Sequence, residues 1–373
     1  MLRDNENLER HFQKGKNQNI QPKEMKKERF IPRCREFAYV TNTGTLDTPG
    51  NTVSIIDTEK DKVTDTITVG NNPLGVAITP NGTRLYVTNQ RDDNVSVIDT
   101  ASNKVIDTIP AGDRPIFVAI TPDGTRAYVL NAFDNNVSVI DTHNNMVTDT
   151  ITVGNFPFGI VIGNTPFGTR AYVANTNDNT VSVIDANPNS PTYNTVIAII
   201  QVGVIPIDVA MTPDGTTVYV TNAGDNTVSA IDTGTNLVTS IPVGVGPAGV
   251  GIGNTPFGIR AFITNSDSDT ISVIDADPNS PTFNKVVDTI IKKVGDSPSD
   301  AAFTSDGLKG YVPNNLDNTV SVIDTSTNRI IDTIKVGNIP QAVAVGRVCR
   351  LVDDDESSDE SSDESSDESS NSS

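Results

Sequence analysis

The chain has 373 residues, with 47 acidic against 27 basic side chains and a net charge of −20. That balance excludes the basic surface a nucleic acid needs and opposes docking on anionic lipid. Aromatic residues make up only 5% with no Trp, while Val, Ile, Thr, Asn and Gly supply a strand-and-turn vocabulary.

Residues 1–33 are polar and mildly basic, and a disordered N-terminal tail is expected there. The first 30 residues hold no apolar h-region, so no export signal is expected. Membrane insertion is not expected either. The most apolar run, Val196 to Met211, is broken by Gln201, Pro206 and Asp208 and reads as two strands and a turn.

From residue 34 the chain repeats itself. AYVTN around Tyr39 returns around Tyr86, Tyr128, Tyr172, Tyr219, Phe262 and Tyr311, at spacings of 47, 42, 44, 47, 43 and 49 residues. A VSVIDT-like phrase ends at Asp57, Asp99, Asp141, Asp185, Asp232, Asp275 and Asp324. A DTITVG-like phrase ends at Gly70, Gly112, Gly154, Gly203, Gly244, Gly295 and Gly337. A GVAITP-like phrase starts at Gly75, Phe117, Gly159, Asp208, Gly249, Asp300 and Ala342. Each is a short β-branched run bounded by Gly, Pro, Asn or Asp, which is the signature of a strand. Four such strands in 42 to 49 residues match a propeller blade, and no 3.6-residue apolar period supports a helical solenoid. The fold predicted for residues 34–350 is therefore all-β: a seven-bladed β-propeller of four-stranded antiparallel blades. The GVAITP phrase, small and apolar on both faces, is expected innermost. The VTDTITVG phrase alternates and carries charge, which suits an outer edge that must resist pairing with other strands.

The order of phrases dictates the closure. The repeats open on a second-strand phrase, Phe37 to Asn42, and end on an orphan first-strand phrase, Pro340 to Gly346. The C-terminal strand is therefore expected to complete the N-terminal blade. Aligning both with an intact blade sets Cys34 level with Asn81 and Cys349 level with Gly82, neighbours in one tight turn. A disulfide across the seam is expected, two free thiols being the alternative; a Cα separation beyond about 7 Å would exclude it. A loop of that size contributes roughly 5 kcal/mol as an upper figure. Residues 351–373 form the last segment, an acidic Ser/Asp/Glu run with no apolar residue after Val352. It is expected to be a disordered, self-repelling tail that associates weakly with cations or basic partners.

The repeated YVTN, VSVIDT and TPDG phrases resemble the YVTN β-propeller repeat family over about residues 36 to 349. The resemblance implies a binding or surface module, a protein or cell-surface partner, and location at a cell or particle surface, with the cytoplasm as the alternative address. Related seven-bladed folds include lactonases and lyases, so fold alone does not fix activity.

Groups present in every repeat suit turn and strand bonding. Blade-specific groups are better functional candidates. The residues flanking the Pro before each inner strand vary, and in three consecutive repeats they are bulky and apolar. Ile116, Phe156, Phe158, Ile205 and Ile207, joined by Phe133 of a neighbouring loop, are predicted to form one binding patch at a channel mouth. The alternative is that these side chains only plug the channel. Two repeats share a pair of insertions, Gly163–Thr169 with Ala186–Asn194 and Gly253–Ile259 with Ala276–Asn284. Their aromatic residues are expected to touch, Phe167 with Tyr193 and Phe257 with Phe283. No catalytic residue, cofactor or metal site is assigned. The chain has two His, and Glu is nearly missing from the repeats. The reading is a non-catalytic scaffold or binding module, with a lactonase- or lyase-like enzyme as the alternative. In that case rim carboxylates such as Asp113, Asp208, Asp296 and Asp300 would carry the chemistry.

Overall fold

A computed structural model describes residues 30–45 and 47–353. Both tail predictions fall largely outside these residues. Seven four-stranded antiparallel sheets make up the compact unit Cys34–Arg350. No helix is present among the described residues, and none is long and apolar enough to cross a membrane.

We number the blades from the seam. Blade one joins Pro340–Asp353 to Phe30–Gly44, Pro49–Asp57 and Lys62–Thr68. Its closure by the C-terminal strand is as the phrase order predicts. The inner strands of blades two to seven are Pro73–Ile78, Pro115–Ile120, Pro157–Thr165, Pro206–Met211, Pro247–Thr255 and Ala302–Phe303. Their outer strands are Lys104–Pro110, Met146–Thr152, Val196–Gln201, Val238–Pro242, Val286–Ile290 and Arg329–Lys335.

The repeated residues build the joints between blades. The Asn that ends each second strand is buried, and its amide donates to two side-chain oxygens of the third strand. Asn131, for example, donates to Asn136 Oδ1 at 2.7 Å and Ser138 Oγ at 2.8 Å. The glycine linking one blade to the next lies on that Asn. A Cβ on Gly154 would stand 2.5 Å from Asn175 Cγ, and the same distance recurs at six of the seven linker glycines, with 2.7 Å from Gly112 to Asn131 Cγ. A side chain there is excluded by overlap, not by backbone dihedral. The repeated Tyr residues fill the gaps between blades. Tyr86, Tyr128, Tyr219 and Tyr311 are buried, and each hydroxyl donates to an Asn or Asp in an outer turn of the following blade. The seven strand-ending Asp residues cap outer turns, as Asp141 does by accepting from His143 N at 2.9 Å.

Apolar cores lie between the sheets. One joins Tyr86, Val95 and Val97 of blade two to Val118, Ala127 and Ile140 of blade three. Each such cluster is completed only by a neighbour, so closing the ring supplies the last one. At the seam Cys34 and Cys349 are bonded, with Cα atoms 3.9 Å apart, tying together residues 315 apart in sequence.

The inner strand of blade seven departs from expectation. The phrase from Asp300 predicts a full strand, but only Ala302–Phe303 pair, beside an isolated bridge from Pro298 to Asn314. In blades two, five and six a second-strand Thr hydroxyl accepts the inner strand's N–H: Thr88 from Gly75, Thr221 from Asp208, and Thr264 from Gly249. Blade seven has Pro313 at that place, with neither hydroxyl nor N–H. Ser299 there donates through Oγ to Gln341 O of blade one at 2.7 Å, as Thr88 and Thr221 donate to Ile116 O and Ala248 O of the blades that follow them.

Candidate functional site

The loop leading into each inner strand ends on X-Pro, and X is left-handed in all seven blades: Asn72, Arg114, Phe156, Ile205, Gly246, Ser297 and Ile339 have φ between +49° and +64°. In six of them the N–H of X donates to a side-chain oxygen of the preceding blade, as Phe156 N does to Asn135 Oδ1 at 2.9 Å. This bond holds X in a conformation that costs a β-branched residue dearly. It fixes where each variable side chain of the rim stands.

The six predicted patch residues are only partly brought together. Phe133 is 48% exposed and its ring centroid lies 5.9 Å from that of Phe156. Phe156 and Phe158 are stacked at 6.4 Å. Phe158 in turn meets Phe117, on the inner strand of blade three, at 5.6 Å. Arg114 places its guanidinium carbon 4.1 Å from the centre of the Phe133 ring. The result is an aromatic run from the exposed rim to the inner strands, capped by a cation. Ile116 does not belong to it. It is fully buried in the core between blades on which Phe156 and Phe158 pack, and its carbonyl accepts from Thr88 Oγ1. Ile205 is 43% exposed, and Ile207 is half-buried. Neither joins the core cluster on which Phe156 and Phe158 pack.

Phe117 was not singled out from sequence, although a signal existed. It holds the position occupied elsewhere by Gly75, Gly159, Asp208, Gly249, Asp300 and Ala342. The glycines let inner strands approach closely: a Cβ on Gly159 would stand 2.5 Å from Ile207 O, and one on Gly249 2.3 Å from Ser299 O. Within this crowded ring only Phe117, Asp208 and Asp300 carry large side chains.

Asp208 and Asp300 are held alike. Asp208 accepts from its neighbour Val209 N at 2.8 Å and from Val250 N of blade six at 2.9 Å. Asp300 accepts from Ala301 N at 2.7 Å and from Val343 N of blade one at 2.9 Å. Each carboxyl therefore pins two blades together while keeping part of its residue surface open. Burial raises both: Asp208 is pushed up to about 8, with the charge on Asp300 adding to the rise, and Asp300 to about 6. The other two rim candidates lie apart from this pair. Asp113 and Asp296 are exposed, and their backbone N–H groups donate to Asp134 and Asp317. No group of three or more His, Cys, Asp or Glu suited to a metal occurs among the described residues.

The turns between first and second strands form the opposite rim. Between blades three and four lies a cleft of about 280 Å³ lined by Arg126, Asn164, Thr169 and Tyr193 among others, with Arg126 already paired to Asp141 at 2.8 Å. The expected aromatic contacts between the paired insertions are not made. Phe167 is 61% exposed, lies beneath Arg170 at 5.4 Å, and would touch a Cβ on Gly234 of blade five. Phe257 is 59% exposed. Each sits at the tip of a two-residue turn, and Phe167 aims its ring toward the following blade.

The architecture defines a class, the seven-bladed propellers, and the chain is similar to solved structures across most of its length. The Kuenenia stuttgartiensis hydrazine synthase matches at 26% identity and a TM-score of 0.64, covering 74% of this chain and 90% of that one. A functionally unknown protein from Desulfotomaculum acetoxidans matches at 17% identity and TM-score 0.71, covering 83% and 98%. A candidate 6-phosphogluconolactonase from Bacteroides uniformis matches at 16% identity and TM-score 0.70, covering 84% and 100%. No protein-family model matches the sequence, and no curated protein does.

Proposed function

We propose that this chain is a non-catalytic binding module of the YVTN type, whose lead-in rim receives a protein or cell-surface partner. The supporting observation is the aromatic run Phe133–Phe156–Phe158–Phe117 with Arg114 over its exposed end. Aromatic and Arg side chains anchored on a rigid base, with one ring held in solvent, have the make-up of interface hot spots. The lead-in bonds preorganise that surface, which reduces the entropy lost on association. The seam disulfide suits an oxidising location such as a cell surface. A pull-down from a native surface fraction tests the reading. The wild-type chain should capture a partner that the exposed-ring variant Phe133→Asp loses, with both proteins melting alike. Equal capture by the two would remove the rim from the account.

The Asp208–Asp300 pair favours a second reading. Both carboxyl groups stand in the inner ring with part of their surface open, and burial raises both, so each can hold a proton for a ring-opening reaction. On that reading the chain opens a lactone or a related ring at the channel mouth. Hydrolysis of a sugar lactone by the wild type, abolished in Asp300→Asn, would support it. Wild-type turnover no faster than buffer would dismiss it.

A further inference from the structure

The cleft between blades three and four has a counterpart between blades five and six. Blades four and six carry the same pair of insertions, and each pair docks on the blade before it in the same way. Tyr128 donates to Asn194 Oδ1 and Tyr219 to Asn284 Oδ1, both at 2.6 Å. The turns facing the insertions also match, reading Thr-Pro-Asp-Gly-Thr from Thr121 and again from Thr212.

The two joints differ where the cleft is lined. Arg126, Thr169 and Tyr193 line it between blades three and four, and blades five and six hold Thr217, Ile259 and Phe283 at those places. The backbone register is shared: Arg126 stands opposite Asp141 and Thr217 opposite Asp232, Thr169 opposite Asn164 and Ile259 opposite Asn254. Each exchange withdraws a hydrogen-bonding group or shortens its reach. Ile259 packs on the apolar core between blades five and six, where Thr169 instead lines the cleft. The same fold stands with either set, so the polar set answers a need other than folding.

Its groups are open for a ligand. Arg126 uses Nη1 on Thr125 O and Asp141, both at 2.8 Å, and its other N–H groups meet no acceptor among the described residues. Asn164 accepts from Thr169 Oγ1 through Oδ1, which leaves its NH₂ to donate. Asp123 holds Thr121 and Thr125 through Oδ1, which leaves Oδ2 to accept. Pro122, Pro188 and the half-buried Tyr193 ring supply apolar walls. At about 280 Å³ the cleft stands near the lower bound of ligand sites, about 300 Å³, so it takes one ring and not a chain. Asp141 already answers the Arg126 charge and the chain carries −20, so an anion gains little there. A neutral polyol ring suits the set, because each hydroxyl both donates and accepts while the C–H faces lie on Tyr and Pro.

We propose that the cleft between blades three and four binds one neutral hexopyranose ring, free or at the end of a glycan. Saturation-transfer NMR of the full chain with glucose, galactose, mannose and N-acetylglucosamine tests this. At least one should bind, with a dissociation constant of about 1 mM for so small a ligand. Arg126→Thr, Thr169→Ile, Tyr193→Phe installs the residues of blades five and six; it should melt like the wild type and bind at least ~10-fold more weakly. If that variant fails to fold, the reverse exchange decides. Thr217→Arg, Ile259→Thr, Phe283→Tyr should add sugar-dependent amide shifts at Asn254 and Ala276, and no added shifts would overturn the proposal. The methyl glycoside separates the two sources. Binding of both forms assigns the cleft to a glycan end, and binding of the free sugar alone assigns it to a monosaccharide. No transfer from the wild type with any of the four sugars at about 20 mM, or equal binding by the folded triple variant, overturns the proposal.

Discussion

The joints between blades and the ring of inner strands obey opposite rules. At the joints one set of residues recurs in every blade: a buried Asn, a glycine with no room for a Cβ, and a capping Asp. In the inner ring the same backbone position holds Gly, Phe, Gly, Asp, Gly, Asp and Ala in turn. Recurrence marks what every blade needs to stand beside its neighbour. Variation at a position of fixed geometry marks what only one sector of the molecule uses. Changes to the joint Asn and Gly should therefore alter stability alike at any pH. Changes to the ring should have effects peculiar to the blade and its chemistry.

The seam gives the largest effect, because there the joint is covalent. Opening the Cys34–Cys349 bond releases a loop spanning 315 residues. In the chain-entropy model this costs roughly 5 kcal/mol, an upper figure. Cys349 is exposed, so a mild reductant should reach it. Denaturant melts of the Cys34→Ser, Cys349→Ser variant, or of reduced wild type, should show a much lower midpoint at pH 6 and pH 9 alike. An unchanged midpoint would mean that the paired strands of blade one close the ring unaided.

Asp208 should behave in the other manner. Its folded proton affinity is raised to about 8 by burial and by Asp300, whereas an unfolded Asp loses its proton near 4. Between these values the folded chain binds more protons than the unfolded one. Stability from this group therefore falls as pH rises from about 4 to about 8 and is lowest above that. Asp208→Asn keeps one acceptor oxygen but loses one of the two N–H bonds, from Val209 or Val250. The variant should be about 1 kcal/mol less stable than wild type at pH 5. That deficit should shrink or reverse at pH 9. Parallel melting curves for the two proteins across this range would place Asp208 among the joints instead.

How much was legible follows from the same contrast. Blade number, strand order, seam and cysteine pairing were readable because each residue type recurs at one backbone place and strand periodicity fixes its neighbours. The patch was readable in part. Phe156 and Phe158 flank a Pro and stack as expected, but Ile116 flanks one too and is buried. Phe158 and Ile116 both follow their Pro directly, so the flank alone cannot tell which side chain the neighbouring strands cover. The Phe167–Tyr193 contact failed for a related reason: two insertions at one end of a blade share a place, but turn geometry decides where their rings aim. The pairing of Asp208 with Asp300 depends on the curvature of the ring, which brings blades five and seven into electrostatic reach across blade six.

The smallest effect is the most selective test of the ring and rim. Ile205 is β-branched, 43% exposed and held at φ +57°. Left-handed backbone costs such a residue about 1–2 kcal/mol, and the exposed side chain recovers little of that by packing. Gly246 occupies the same place in blade six at φ +64°, so the loop accepts glycine without rearrangement. Ile205→Gly relieves the strain but gives the unfolded chain more freedom, a cost of about 0.5–1 kcal/mol. The balance predicts a gain of up to about 1 kcal/mol, read as a small rise in Tm. A joint residue replaced in this way could only lose stability. A gain at Ile205 would therefore mean that its shape is kept for something outside the fold, as a rim built for contact requires. A loss would mean that Ile205 packs against its own molecule and belongs with the joints.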